Sequence, residues 1–109
     1  MEPHTSDESR VRELTARVRR RELPKPGCIE QLEYAGGQLV GTQRMSLVEM
    51  MFEWLQCAAS SEAVRAAIET LAVGGTYIDP GDGTGSWEHE YQVIDRAQFE
   101  QERCWLETP

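Results

Sequence analysis

Hydrophobic residues cluster most densely between Ser46 and Ser60. The polar residues Glu49, Glu53, Gln56 and Ser60 recur at i, i+4, i+7 and i+11, which places them in one narrow stripe on a helix. Ser46, followed three residues later by Glu49, has the spacing of a capping box. The pattern therefore predicts a helix that begins near Ser46 and is apolar nearly all round, as helices are when they are buried or form half of an interface.

A strand pair is predicted before this helix, and a second helix after it. Residues 28–34 and 38–44 have strand composition and flank a glycine turn at Gly36 and Gly37, which is typical of a β-hairpin. The second helix is expected over about residues 62–73, ending at Gly74 and Gly75.

The C-terminal third predicts a second hairpin and a last helix. Residues 76–79 and 86–94 read as strands joined by a loop dense in glycine. Asp95 and Gln98 have the spacing of a second capping box. The predicted fold class is α+β: two β-hairpins form a small antiparallel sheet packed against a central apolar helix pair, with N- and C-terminal helices.

The chain divides into a basic leader, residues 1–27, and a single acidic domain, residues 28–109. The leader predicts a helix from Ser6 or Asp7 to about Arg21 or Leu23, followed by a proline-rich connector. Its run Arg19–Arg21 matches the helix dipole, and a phosphate-binding arm is the less favoured alternative.

Charge separates these two parts of the chain. The net charge is −8; the leader holds seven basic and five acidic residues, whereas the domain holds four basic and fourteen acidic ones. We expect the domain to be repelled by nucleic acid and membrane surfaces and attracted to a basic partner, or to the leader of a second copy.

Cysteine content and the N-terminal sequence favour a cytoplasmic location. Cys28, Cys57 and Cys104 fit no zinc or disulfide pattern, which suits a reducing compartment. The N-terminal residues lack the charge and hydropathy pattern of a secretory signal. We expect no membrane association, cofactor or metal site.

Three features could carry binding or chemistry. The glycine-rich loop that begins at Asp79 offers oxygen ligands, but a tight turn is the favoured interpretation. Trp87, His89 and Tyr91 alternate on one strand face and could line a ligand pocket, although a core role is favoured. Glu53, between aromatic residues, is the side chain expected to have a raised pKa if its stripe is covered.

No set of residues predicts catalysis, so we expect a non-enzymatic protein. The leading hypothesis is a small acidic protein that binds and regulates or inhibits a protein partner with a basic surface, in one version by competing with nucleic acid for a basic groove. A homodimer is also compatible with the apolar helix. The predicted partner-binding residues are Glu88, Glu90, Asp82, Met50 and Met51.

The alternative hypothesis is a small-ligand binding module for a nucleotide-like molecule. It would use the glycine-rich loop with Asp79 and the strand residues Trp87, His89 and Tyr91.

Overall fold

Four strands and three helices follow the order that the sequence predicts. The computed structural model of the protein describes residues 9, 12, 13, 16, 17, 20, 27–56 and 59–107, with only the backbone for residues 56 and 105–107. In chain order the elements are β1 (Ile29–Ala35), β2 (Gln38–Met45), α1 (Leu47–Gln56), α2 (Ser61–Ala72), β3 (Tyr77–Asp79), β4 (Trp87–Val93) and α3 (Arg96–Glu107).

The strands form one antiparallel sheet in the order β2-β1-β4-β3. Gly36 and Gly37 make the first hairpin turn with φ of 59° and 81°, a conformation that glycine adopts without steric cost. An irregularity between Glu33 and Tyr34 shifts the register of β1 against β2. The two hairpins meet through β1 and β4, which form the centre of the sheet.

The helices pack on one face of the sheet. Ile29 on β1 and Tyr91 on β4 are buried on this face, and Met45 at the end of β2 joins them. One hydrophobic cluster combines these side chains with residues of all three helices, namely Leu47, Met50, Met51, Trp54, Val64, Ala67, Ile68, Leu71 and Phe99. The α+β class and the antiparallel sheet predicted from the sequence are therefore confirmed.

The start of α1 is fixed by the predicted capping box and by a contact from α3. The Glu49 N–H donates to Ser46 Oγ at 3.1 Å, and the Ser46 N–H donates to Glu49 Oε1 at 3.2 Å. The Leu47 N–H donates to Glu102 Oε1 at 2.7 Å, and Cys28 Sγ donates to the same oxygen at 3.3 Å. Glu102 thus joins α3, the start of α1 and the chain entering β1.

The boundaries of α2 lie at the predicted serine and glycine, whereas the predicted capping box of α3 forms only in part. Ser60 is the N-cap of α2, its Oγ accepting from the Ala63 N–H, and Gly74 follows α2 with φ of 86°. Asp95 accepts from the Gln98 N–H, but its own N–H donates to the Cys28 carbonyl. The second capping box is therefore half formed, because a tertiary bond replaces its other half.

A buried polar network joins α1 to the sheet. Tyr91 Oη accepts from Gln31 Nε2 at 2.9 Å and from Trp54 Nε1 at 3.0 Å. The Trp54 indole also packs against the rings of Tyr91 and Tyr77, at centroid distances of 5.5 Å and 5.1 Å. This network links β1, β4, β3 and α1 at one point.

The leader lies largely outside the described residues. Residues 9, 12, 13, 16 and 17 are helical, in agreement with the predicted helix. Residues 23–26 of the proline-rich connector lie outside the residues that the structure describes, as do Arg19, Arg21 and Cys57.

Glu102→Gln should change how stability depends on pH. Burial raises the pKa of Glu102 above its ordinary value, and the bonds from Leu47 and Cys28 oppose the shift. The folded state therefore binds the proton more tightly, and the stabilisation from Glu102 present at acidic pH is lost as pH rises through the folded pKa. We expect the free energy of unfolding of the native chain, relative to Glu102→Gln, to fall as the pH rises above about 4, the ordinary pKa of a glutamate, in urea titrations.

The matched control for this prediction is Glu100→Gln, because Glu100 is exposed on the same helix and pairs only with Arg96 and Arg103 in the described structure. Equal pH dependence of the two variants would contradict the role assigned to Glu102.

Tyr91→Phe should destabilise the fold by about 2 kcal/mol or more, because two buried donors, Gln31 Nε2 and Trp54 Nε1, lose their acceptor. Tyr34→Phe is the control, since Tyr34 lies on the opposite face of the sheet and is partly exposed. Urea unfolding measures both variants, and a change below about 0.5 kcal/mol for Tyr91→Phe would show that the network adds little.

Candidate functional site

The sheet face opposite the helices carries the acidic residues predicted to bind a partner. We call it the open face, because in the described structure α1, α2 and α3 pack on the other side. Strand alternation and register place ten side chains on it: Glu30, Leu32, Tyr34, Leu39, Thr42, Arg44, Ile78, Glu88, Glu90 and Gln92.

The charges of the open face are only partly compensated. Glu30 lies 4.0 Å from Arg44 Nε and accepts from Gln92 Nε2 at 2.8 Å. Glu88 and Glu90 make no ion pair or side-chain hydrogen bond within the part of the chain that the structure describes. Two neighbouring carboxylates are thus left to water or to a partner.

Apolar side chains lie beside these carboxylates. Register places Tyr34 opposite Glu88 and Leu32 opposite Glu90 on β1, and Ile78 opposite Glu90 on β3. Ile78 is 50% exposed. The open face therefore combines charge with apolar area, as protein interfaces do.

Asp82 lies in the loop between β3 and β4. Its Oδ1 accepts from the N–H and the hydroxyl of Thr84, at 3.0 and 2.7 Å, and these bonds lower the pKa of the exposed Asp82 carboxyl. Asp82 therefore keeps its charge while it stabilises the turn.

Met50 and Met51 cannot serve as the exposed contact surface predicted from the sequence. Both side chains are buried in the core cluster, with exposures of 0% and 1%. The other two helices and the sheet cover more of the hydrophobic surface of α1 than the sequence pattern predicted. The prediction was wrong because local periodicity does not say how many elements pack around a helix.

Trp87, His89 and Tyr91, which we call the aromatic row, lie on the helix-covered side of β4. Exposure rises along the row: Tyr91 is 2% exposed, the His89 side chain 21%, and Trp87 39%. Ring centroids are 5.0 Å apart for Trp87 and His89, and 6.3 Å apart for His89 and Tyr91. Tyr91 belongs to the core as the favoured interpretation expected, whereas Trp87 is partly exposed.

Acidic side chains surround His89. Its Nε2 lies 3.9 Å from Glu33 Oε2, and register places Asp79 on its other side. Glu33 was absent from the sequence predictions, because no local pattern reveals that β1 pairs with β4 and brings Glu33 opposite His89.

Glu53 on α1 has the raised pKa that the sequence predicted. Its partial burial is the main cause, the charge of Glu49 adds to it, and the charge of His89 opposes it. Glu53 therefore lies within electrostatic range of the aromatic row.

The glycine-rich loop is a tight turn. Gly81, Gly83 and Gly85 have φ of 67°, 84° and 82°, and Asp79 Oδ1 accepts from the Gly81 N–H at 3.1 Å. A Cβ on Gly81 would lie 2.7 Å from the Trp87 carbonyl oxygen and 2.9 Å from its ring, so only glycine allows this approach. Within the described residues, no three His, Cys, Asp or Glu side chains are grouped so as to hold a metal ion.

The described helices are too short or too polar to cross a bilayer. Comparison with protein-family models, with curated proteins and with solved structures finds no match to this chain.

Proposed function

We propose that this protein is a non-enzymatic regulator that binds a partner protein through the open face, with Glu88 and Glu90 contacting a basic surface. The supporting observation is that these two carboxylates are unpaired among the described residues, beside the apolar side chains of Leu32 and Tyr34. Neighbouring like charges repel each other, and a basic partner would remove that repulsion.

Inhibition by competition with nucleic acid is the specific form of this proposal. Glu88 and Glu90 lie on alternate positions of a strand, about 7 Å apart along the chain. Lysine and arginine side chains that bind phosphates also pair with carboxylates. A groove that binds nucleic acid would therefore accept the open face, and bound protein would exclude nucleic acid from it.

The buried thiol of Cys28 is not suited to act as a nucleophile. Burial, reinforced by the neighbouring charge of Glu102, raises the pKa of the Cys28 thiol to about 12. A thiol with this pKa is protonated at neutral pH and is a poor nucleophile.

The nucleotide-like ligand remains the alternative, but the surroundings of the aromatic row count against it. Glu33 and Asp79 flank His89, and Glu53 lies within electrostatic range. Three carboxylates repel a phosphate group, so this region suits a ligand of the opposite charge.

Charge reversal on the open face should abolish partner capture. The double variant Glu88→Lys/Glu90→Lys should retain about one tenth or less of the partner that the native chain captures from lysate, measured by quantitative mass spectrometry. Capture by the native chain should weaken steeply between low and moderate salt and should be lost when single-stranded nucleic acid is added.

The control variant is Glu69→Lys/Glu100→Lys, which changes the net charge equally at exposed helical positions. It should capture the partner within about threefold of the native chain, since exposed ion pairs such as those of Glu100 contribute little to stability. Thermal unfolding confirms that each variant is folded, and light scattering shows whether the captured partner is a second copy. Equal losses in both double variants would contradict the assignment to the open face.

A further inference from the structure

The basic leader and the open face have complementary patterns of apolar and charged residues. We propose that the leader helix of a second copy docks on the open face, so that two copies exchange leaders in a symmetric dimer. This contact would occupy the surface assigned above to a partner protein. The inference therefore rests on the proposed function of the open face, and it adds a way in which that face is regulated.

The open face carries a row of apolar side chains next to a row of carboxylates. Leu32 and Tyr34 on β1 lie directly opposite Glu90 and Glu88 on β4. Neighbouring strands are about 4.8 Å apart, whereas a helix is about 10 Å across, so one helix can cover both rows. Glu88 and Glu90 make no ion pair or side-chain hydrogen bond within the described residues. The face thus suits a helix that is apolar below and basic along one side.

The leader has this pattern. Val11, Leu14 and Val18 recur at i, i+3 and i+7, which forms one narrow apolar stripe on a helix. Arg10 and Arg21 are eleven residues apart, or about three helical turns, so they fall on one line beside the stripe. The stripe and these two arginines lie outside the described residues, but five leader residues interspersed among them are helical.

Charge favours the contact and selects its orientation. The leader holds two more basic than acidic residues, whereas the domain holds ten more acidic than basic ones. With the apolar stripe placed over Leu32 and Tyr34, the helix can run in two directions. Only one of them directs the arginine line to the β4 side of the face, where Glu88 and Glu90 lie. Such pairing steers association and excludes the reversed orientation.

The connector favours a second copy over the chain's own open face. A Cβ built on Gly27 would lie 2.9 Å from the Arg44 Cβ, so the chain enters β1 beside an open-face residue. In the sequence before Gly27, Pro24 and Pro26 fix their own φ and restrict the residue that precedes each of them. Four consecutive extended residues span about 12 Å without a reversal of the chain. We therefore expect the leader to be directed away from the sheet to which it is attached.

Leader exchange would regulate access to the open face. Two-fold symmetry makes the contact twice, once on each copy. Both open faces are then closed to a partner protein, and a partner can bind only when a leader leaves. The dimer would therefore hold the protein in an inactive form.

Sedimentation velocity of the full chain and of charge-exchanged variants tests the leader contact. We expect the native chain to dimerise with a Kd below about 100 μM at low salt. Arg10→Glu/Arg21→Glu and Glu88→Lys/Glu90→Lys each place like charges across the contact, so each should raise this Kd at least about tenfold. An equimolar mixture of the two variants restores opposite charges at both contacts. Its Kd should lie within about threefold of the native value.

Glu69→Lys/Glu100→Lys is the control, since it makes the same change of charge at exposed helical positions. It should dimerise within about threefold of the native Kd. A monomeric native chain, as expected if the leader docks on its own open face, would overturn the proposal. An equal loss in the control, or failure of the charge-exchanged mixture to dimerise, would overturn it as well. Loss of partner capture with leader exchange intact would contradict only the proposed function.

Discussion

The hydroxyl of Tyr91 is the point at which the helical layer is joined to the sheet. Its two acceptor bonds come from Gln31 on β1 and Trp54 on α1, and its ring lies on β4. Buried donors of this kind are costly to leave unpaired, so the network favours one placement of α1 over the sheet. Apolar packing alone would allow α1 to slide, because its surface is hydrophobic almost all round.

The placement of α1 decides which parts of the sheet remain accessible. The helices cover the end of the sheet that contains Ile29 and Tyr91, and exposure rises along β4 towards Trp87. None of α1, α2 and α3 packs on the opposite face, and Glu88 and Glu90 make no ion pair or side-chain hydrogen bond there within the described residues. Part of the acidic excess of the domain is therefore displayed on the open face, where Glu88 and Glu90 lie beside Leu32 and Tyr34.

Local sequence patterns predicted the elements well, because caps and turns depend on residues close in the chain. Three predicted features depend only on such neighbours: the capping box of Ser46 and Glu49, the turn at Gly36 and Gly37, and the end of α2 at Gly74. The raised pKa of Glu53 also followed from its position between aromatic residues on one helix.

The contacts that the sequence did not predict depend on strand order. Glu33 meets His89, and Gln31 meets Tyr91, only because β1 lies between β2 and β4. The bond from Leu47 to Glu102 likewise joins residues 55 positions apart. Single-sequence periodicity carries no information on such pairs, which is also why the burial of Met50 and Met51 was missed.

Methyl NMR of the full chain, titrated with a short peptide rich in lysine and arginine, tests the role of the open face most directly. Leu32 and Ile78 report on the open face, whereas Ile68 and Leu71 report on the core beneath the helices. The account predicts that the methyl resonances of Leu32 and Ile78 shift on binding and that those of Ile68 and Leu71 do not. Shifts confined to Ile68 and Leu71, or no shifts at all, would contradict it.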